Sequence, residues 1–219
     1  MNFDWSVVWA HAGELVQGTE LTILLAVVTM LIAIPGGILL ALLRLSGSRI
    51  LSGISASFTE FFRNLPLILV IYAAYYMLPL AFDVAFSPIV TAVVALSLNV
   101  AAYNGETFRA GIASIRRGQS EAALALGMSN LQAMREIILP QAVRRVLPVL
   151  ASTWVSLFKD TSLVSVIAVG ELAYTSMRIR SQTFRVMEML TAMAAIYWML
   201  GYPQAKLVDW LNRRYGITE

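Results

Sequence analysis

Long apolar segments separated by short polar ones dominate the hydropathy pattern of this chain. A hydrocarbon layer of roughly 30 Å needs about 20 consecutive apolar residues for each helical crossing. Five segments reach or approach that length, at approximately residues 21–43, 65–80, 88–109, 146–170 and 186–207. The pattern predicts an all-α membrane protein in which a single domain, residues 1–219, contains five transmembrane helices. Residues 5–17 predict a short amphipathic helix at the membrane interface before the first span.

The amino-acid composition excludes several kinds of chemistry for this chain. Hydrophobic residues make up 58% of it and charged residues 13%, with a mean hydropathy of +0.72, values typical of membrane-embedded proteins. The absence of cysteine excludes disulfides, iron–sulfur clusters and thiol catalysis, and one histidine, His11, cannot build a multi-histidine metal site. Neither lysine, Lys159 or Lys206, follows a glycine. The chain therefore has no P-loop with which to hydrolyse ATP.

The connections between the predicted spans are alternately rich and poor in Lys and Arg, and this alternation indicates how the chain is oriented in the membrane. Lys and Arg accumulate on the cytoplasmic side of membrane proteins. The rich segments follow the first span, the third span and the fifth span, with Arg44, Arg49, Arg63, Arg116, Arg117, Arg135, Arg144, Arg145, Lys206, Arg213 and Arg214. The other side carries only Arg178, Arg180 and Arg185. We expect the amino terminus outside and the carboxyl terminus in the cytoplasm.

A polar segment at about residues 116–140 connects the third and fourth spans. Residues 119–126 predict a helix too short to cross a bilayer, and Gly127 can then adopt a left-handed turn. A second helical stretch is expected to end at Pro140. A helix–glycine–helix unit between membrane spans suits the docking of a partner outside the membrane, although an ordinary interfacial helix would have the same pattern.

Polar residues inside the third span share one helical face. Asn99, Tyr103 and Glu106 are spaced i, i+4 and i+7, and ionisable groups at membrane depth are usually functional. Asn99 lies about 16 Å into the span at 1.5 Å per residue, close to the midplane. We expect Asn99 and Tyr103 to contact a substrate. Glu106 could do the same, or could form a structural ion pair with Arg109 or an arginine of a neighbouring helix.

The fourth span is interrupted by Lys159, Asp160, Thr161 and Ser162. A helix broken near the midplane exposes backbone groups that transporters use to bind zwitterions, and Asp160, Thr161 or Ser162 could cap the second half-helix. The hypothesis is that Asp160 takes an α-ammonium group, and that Lys159 or free amides take an α-carboxylate. Alternatively, Lys159 and Asp160 are a packing pair. Arg63, before the second span, either reaches lipid headgroups or contacts substrate.

Four stretches together resemble the polar-amino-acid permeases of ABC importers. They are Phe-Arg-Asn-Leu-Pro-Leu at 62–67, Glu-Thr-Phe-Arg-Ala-Gly-Ile at 106–112, the segment 117–142, and Lys-Asp-Thr-Ser-Leu at 159–163. Within the third of these, Glu121, Ala122, Ala123 and Gly127 resemble the EAA loop that docks into the ATPase subunit. The opening residues Phe-Asp-Trp-Ser at 3–6 and the stretch Arg-Asn-Leu-Pro at 63–66 look most like those of glutamate/aspartate permeases. Asn64 departs from the family pattern, in which that position is often small.

The resemblance implies the five-helix type I importer (MetI-like) fold in a bacterial inner membrane. It also implies the partners: two ATP-binding subunits, a second permease that is identical or homologous, and a periplasmic substrate-binding protein. ATP and Mg would be bound by the ATPase, with no cofactor, metal or catalytic residue in this chain. The cargo would be a polar amino acid, either glutamate or aspartate, or else a basic amino acid or glutamine. No feature indicates nucleic-acid binding.

Two other classes of function fit the sequence less well. An ion-coupled secondary amino acid carrier usually contains inverted repeats, and none is visible in the sequence. A membrane-bound enzyme would need a histidine cluster, a cysteine or a Gly-x-Ser-x-Gly motif, and the sequence has none of these. Only the importer interpretation requires a tightly bound ATPase.

Overall fold

The computed structural model describes residues 3–215, and every regular element in that range is helical. The helices are α1 (Ser6–Ala10), α2 (Ala12–Leu45), α3 (Arg49–Asn64), α4 (Leu67–Tyr72), α5 (Leu78–Phe82), α6 (Pro88–Ala113), α7 (Arg117–Ala125), α8 (Asn130–Gln132), α9 (Leu139–Asp160), α10 (Leu172–Thr183) and α11 (Val186–Tyr215). A π-helical turn, Ala73–Met77, joins α4 to α5, and another, Ala133–Ile138, joins α8 to α9. A 3-10 helix, Thr161–Ile167, follows α9. The all-α prediction is confirmed.

The contact between α2 and α6 is the most extensive helix pair in the structure. Small residues allow the two backbones to approach closely. A Cβ atom at Gly37 would lie 2.7 Å from Cβ of Asn104, and one at Gly105 would lie 2.9 Å from Cβ of Leu40. Lipid gives helices little hydrophobic reason to associate, so close packing of this kind supplies much of the attraction. The α2–α6 pair is therefore the axis around which the other helices pack.

The main core is built around this pair. Fully buried side chains in it come from α2 (Ala26), α4 (Ile71), α6 (Leu96), α9 (Phe158) and the 3-10 helix (Val164). Phe158 also meets the ring of Tyr197 from α11 edge-on, with centroids 5.9 Å apart. The fourth and fifth predicted spans are thus held against the first three by a shared apolar core.

The second predicted span is interrupted by a bend, which the sequence did not predict. Residues 49–64, expected to be a connection, form α3, and the predicted span at 65–80 corresponds to α4 and α5 alone. Leu65 is extended, with φ −94° and ψ 137°, because a residue that precedes proline is disfavoured in the helical region. The helix axis turns by 107° between α3 and the α4–α5 segment. Pro66 therefore separates two helical halves.

The helix after the polar segment does not end at Pro140, contrary to the prediction. The π-helical turn Ala133–Ile138 leads directly into α9, which contains Pro140 in its first turn. A proline ring clashes with the carbonyl four residues earlier in a regular α-helix, and the wider π turn takes up that strain. Helical structure consequently runs without a gap from Asn130 to Asp160.

Two further predictions are wrong, one for the segment after α9 and one for the start of α2. The end of the predicted fourth span and the connection after it form the 3-10 helix and α10, and α10 was not expected. Residues 12–17, expected to belong to a separate interfacial helix, are the first turns of α2, so only α1 precedes the long helix. The chain changes direction at Ala168, which has φ +60°.

Length and apolar composition mark α2 and α6 as helices that can each cross a membrane. The bent pair formed by α3 and α4–α5 can supply a third crossing. The 22 residues of α9 and the 30 of α11 are long enough, but both helices carry more polar residues. A count of five crossings stays a prediction.

We expect Gly37→Ala to destabilise the protein, because the added methyl group would overlap Asn104 on α6. Overpacking of this kind costs about 1–3 kcal/mol. Thermal unfolding of the purified protein in lipid nanodiscs would measure the change. Gly53→Ala is the matched control, since a Cβ atom there meets nothing within 4 Å and α3 should gain from the better helix former. Equal stability of the two variants would contradict the packing argument.

Candidate functional site: a cavity beside the broken span

A cavity of 630 Å³ opens beside the break between α3 and α4. Its walls come from the α3–α4 connection, from α6 and from α9, and we call it the central cavity. Four of the predicted substrate contacts line it: Arg63, Asn99, Tyr103 and Asp160. Its size falls within the range of about 300–1,000 Å³ that is typical of small-molecule sites.

Asn99 and Tyr103 have a structural function that the sequence did not reveal. Nδ2 of Asn99 donates to the carbonyl oxygen of Phe62 at 2.9 Å, and the hydroxyl of Tyr103 donates to that of Arg63 at 3.3 Å. Both carbonyls belong to the last turn of α3, where no further amide is available within the helix. The two side chains of α6 therefore stabilise the break in the second span.

Arg63 extends from this break across the face of α6. Its guanidinium carbon lies 5.5 Å from the centroid of the Tyr103 ring, within the range of a cation–π interaction. The neighbouring Asn64 uses its Nδ2 to donate to the carbonyl oxygen of Glu60 at 2.7 Å. Arg63 thus presents a positive charge to the central cavity from the broken end of α3.

The opposite wall belongs to one face of α9. Ser152, Ser156 and Asp160 recur every four residues, so they lie above one another on this helix and all line the cavity. Thr153 lines it as well, and its hydroxyl donates to the carbonyl oxygen of Val149 at 3.1 Å. The sequence analysis did not identify Ser152, Thr153 or Ser156 as site residues. The regular spacing of these small hydroxyl residues before Asp160 is the signal that could have identified them.

The rest of the predicted Lys159–Ser162 group does not line the cavity. Lys159 is exposed, and Thr161 is fully buried with its hydroxyl donating to the carbonyl oxygen of Phe158 at 2.8 Å. The hydroxyl of Ser162 likewise donates to the carbonyl oxygen of Lys159 at 2.8 Å. These two hydroxyl groups supply hydrogen-bond donors to carbonyl oxygens in the last turn of α9. The predicted cap of a second half-helix by Asp160, Thr161 or Ser162 is therefore wrong, because Asp160 makes no capping hydrogen bond either.

Glu106 forms the ion pair with Arg109 that was one of its two predicted roles. Nε of Arg109 donates to Oε2 of Glu106 at 2.9 Å. Glu106 does not line the central cavity. It lines two neighbouring recesses, of 140 and 340 Å³, and Arg63 lines both of them as well. Arg63 is consequently the residue that the three spaces share.

The polar segment forms the predicted short helix and turn. The helix is α7, and Gly127 follows it with φ +84°, a conformation that glycine adopts without strain. The amide of Gly127 donates to the carbonyl oxygen of Leu124 at 3.0 Å, and that of Met128 donates to Ala123 at 3.1 Å. This pair of bonds is a Schellman motif, which closes the carboxyl end of a helix.

The residues of α7 that resemble the EAA loop differ in their exposure. Glu121 and Ala122 are exposed, whereas Ala123 is buried. After the turn, Ser129 and Gln132 form a reciprocal capping box that starts α8. Nearby, Leu126 is 84% exposed.

Glu171 is a buried charged residue whose function the sequence analysis did not identify. It caps α10: its carboxylate accepts from the amides of Ala173 at 2.8 Å and Tyr174 at 2.7 Å. The hydroxyl of Tyr197 on α11 donates to the same carboxylate at 3.0 Å. Thr22 on α2 accepts from the amide of Leu172 at 3.1 Å. Glu171 thus fastens α10 to α11 beside α2, at a distance from the central cavity.

We expect Asn99→Leu to lower the free energy of unfolding by about 1–3 kcal/mol, because the partly buried carbonyl of Phe62 would lose its hydrogen-bond partner. Unfolding of the purified protein in nanodiscs, without substrate, would measure this structural effect. Tyr103→Phe is the matched control: its bond is longer and its side chain is exposed, so a change within about 0.5 kcal/mol is expected. An Asn99→Leu variant as stable as the parent would contradict this function.

Comparison with known proteins identifies the family. Residues 33–217 match the family described as binding-protein-dependent transport system inner membrane component. The glutamine transport system permease protein GlnP of Escherichia coli (strain K12) is 35% identical over 218 residues, 99% of this chain and 100% of the relative. The glutamate/aspartate import permease protein GltK of Escherichia coli O157:H7 is 36% identical over 219 residues, 97% of this chain and 98% of the relative.

A solved structure agrees with these relatives. An amino acid ABC transporter crystallised with histidines superposes with a TM-score of 0.92 at 31% identity, over 98% of this chain and 100% of the other. The match extends over nearly all of both chains, so the helical arrangement described above is that of an ABC permease. The chain therefore belongs to the family of binding-protein-dependent inner membrane components, as a multi-pass permease subunit of an amino acid ABC importer whose ATPase is a separate subunit.

Proposed function

We propose that this permease moves a polar amino acid through the central cavity. The observation that carries the proposal is the pair of opposite charges facing that cavity, Arg63 from the broken second span and Asp160 from α9. An amino acid is a zwitterion, which needs an anion for its ammonium group and a cation for its carboxylate. Glutamate, aspartate, a basic amino acid and glutamine are all polar cargoes that match the family, and relatives named for glutamine and for glutamate/aspartate support this range.

The membrane arrangement that fits this function has five crossings, with the amino terminus outside and the carboxyl terminus in the cytoplasm. In this arrangement α2, the α3–α5 segment, α6, α9 and α11 are the crossing segments. The arginine distribution supports the orientation, because it assigns α7 to the arginine-rich side of the membrane. The periplasmic binding protein would then deliver the amino acid at the opposite side.

The segment at about residues 116–140 is the proposed coupling loop to the ATPase. Glu121 and Ala122 are exposed on α7, and the Schellman turn at Gly127 fixes the direction in which the chain returns to the membrane. Two ATPase copies would bind ATP and Mg and drive the cycle. A second permease, identical or homologous, would close the central cavity from its open side. An ion-coupled secondary carrier is not favoured, because the relatives are ABC permeases.

We expect Asp160→Asn to impair uptake of the amino acid by proteoliposomes that contain the whole importer. Loss of a charge-assisted contact costs about 1.5–3 kcal/mol, which corresponds to about a 10- to 150-fold weaker apparent affinity. ATP hydrolysis stimulated by the binding protein should stay partly intact, since Asp160 lies at the far end of α9 from the polar segment that contains α7. Lys159→Gln is the control: its side chain lies outside the cavity, so uptake should match the parent. Unchanged uptake by Asp160→Asn would refute the cavity as the transport site.

We expect Gly127→Asp to leave membrane insertion intact and to uncouple ATP hydrolysis from uptake. A side chain at φ +84° strains the turn and disturbs the two hydrogen bonds that fix it. Co-purification of the ATPase, together with uptake per ATP hydrolysed, would measure the defect. Gly118→Asp, on the same segment with open space around it, adds the same charge without a strained φ and serves as the control. Normal coupling in Gly127→Asp would rule out the docking function of the loop.

A further inference from the structure

The last turn of α9 carries Asp160 on its cavity side and packs against α11 on its other side. Residues two apart on an α-helix point about 200° apart, so Phe158 lies on the side away from Asp160. Phe158 is fully buried, and the ring of Tyr197 on α11 meets it edge-on with the centroids 5.9 Å apart. Tyr197 therefore supports the turn whose opposite side presents the cavity carboxylate.

The hydroxyl group of Tyr197 is held by a cluster of buried polar side chains. It donates to Oε2 of Glu171 at 3.0 Å, and it also interacts with the hydroxyl groups of Thr22 and Thr161. Glu171, Thr22 and Thr161 are all fully buried. Thr161 follows Asp160 directly in the chain. The cluster consequently reaches the end of α9 through the backbone as well as through the aromatic contact.

Glu171 is the fixed point of this cluster. The amides of Ala173 and Tyr174 donate to its carboxylate, as the Tyr197 hydroxyl does. Within residues 3–215 Glu171 belongs to no salt bridge, so neutral donors satisfy this buried carboxylate. A buried carboxylate that loses such a donor is strongly disfavoured. The hydrogen bond from Tyr197 therefore has little freedom to shift.

We propose that Tyr197, anchored by Glu171, is a positioning residue for transport: it fixes the last turn of α9 and so fixes where the Asp160 carboxylate stands in the central cavity. The inference rests on the proposed transport function of that cavity. A group that binds a ligand must be held within about 0.5 Å of its productive geometry, and supporting residues behind it supply that precision. The hydroxyls of Thr161 and Ser162 stabilise this turn from within the chain, whereas Tyr197 holds it from a different helix.

The same cluster connects the cavity to α10. Glu171 caps the amino-terminal end of α10, and its carboxylate is the group that the Tyr197 hydroxyl meets. A movement of α10 against α11 would therefore reach Asp160 through this one hydrogen bond. In the proposed orientation α10 lies on the outer side of the membrane, where the binding protein delivers the amino acid.

Equilibrium binding of radiolabelled glutamine, glutamate and arginine to the purified permease–ATPase complex in nanodiscs would test the proposal. Tyr197→Phe keeps the ring against Phe158 and removes only the hydroxyl group. We expect it to weaken binding of the amino acid that the parent binds best by about 5-fold or more, because small misplacements of a binding group are costly. Tyr202→Phe is the matched control: the same change on the same helix, at a side chain that is 49% exposed, should alter binding by less than about 2-fold.

A double-mutant cycle separates positioning from a general loss of stability. If the Tyr197 hydroxyl acts through Asp160, Tyr197→Phe should alter binding by less than about 2-fold in the Asp160→Asn background, where the carboxylate is already absent. Gly37→Ala destabilises a different helix contact, so any effect it has on binding should be equal in both backgrounds. Equal weakening by Tyr197→Phe in both backgrounds, or no weakening in either, would overturn the proposal.

A measurement without bound amino acid separates this inference from the function on which it rests. The chain has no cysteine, so a nitroxide label can be attached at Ser156→Cys, one turn before Asp160 on the cavity side of α9. The permease–ATPase complex without that substitution supplies the background EPR spectrum. Tyr197→Phe should increase the mobility of the label, and Tyr202→Phe should not.

Equal label mobility in Tyr197→Phe and the parent would overturn the positioning function, even if Asp160→Asn weakens binding and so supports the cavity as the transport site. The converse result is also distinct. If the label becomes more mobile but Asp160→Asn binds all three amino acids as the parent does, Tyr197 holds α9 in place and the cavity is not the transport site. The proposed function then fails, and the function of Tyr197 in transport fails with it.

Discussion

The central cavity depends on the hydrogen bonding of the backbone where α3 stops. Inside a membrane an unpaired carbonyl has no water to bond, so a helix can break there only if other groups in the protein replace the lost partners. Asn99 and Tyr103 do so for the last turn of α3. The break then allows the axis to turn by 107° and positions Arg63 beside open space. The polar face of α6 is therefore as much a support for the broken helix as a lining for the cavity.

The sequence predicted the parts of this fold that depend on local physics. Long apolar runs predict helices because lipid permits few other structures, and the positive φ of Gly127 was expected because glycine adopts it without strain. The break at Pro66 was missed because it falls at the edge of an apolar run, where proline looked like the start of a span. Glu171 was missed for another reason: its hydrogen-bond partner Thr22 is 149 residues away in sequence. Contacts of that kind leave no periodic signal in the chain.

In the candidate site, too, the sequence predicted which residues matter but not the features that depend on the folded structure. Asp160 was singled out from the sequence because ionisable residues near membrane depth are rare, and Arg63 because it stands at the edge of the second predicted span. The sequence did not show that Lys159, next to Asp160, faces away, since this depends on where α9 ends and on the hydroxyl of Ser162 turning back to its carbonyl. It also did not reveal that the side chain of Asn99 holds the carbonyl oxygen of Phe62 at the end of α3.

The unbroken helical path from Asn130 to Asp160 has a mechanical consequence. At 1.5 Å per residue it is a rod of about 45 Å, with the capping box of Ser129 at one end and a cavity carboxylate at the other. A rod of this length converts a small tilt at one end into a displacement of several ångströms at the other. Its two irregular places are the π turn before Pro140 and the interior proline Pro148, so bending would concentrate there. The direction in which Asp160 moves is then set by the geometry of these two places, the farther of which lies about 30 Å away along the helix.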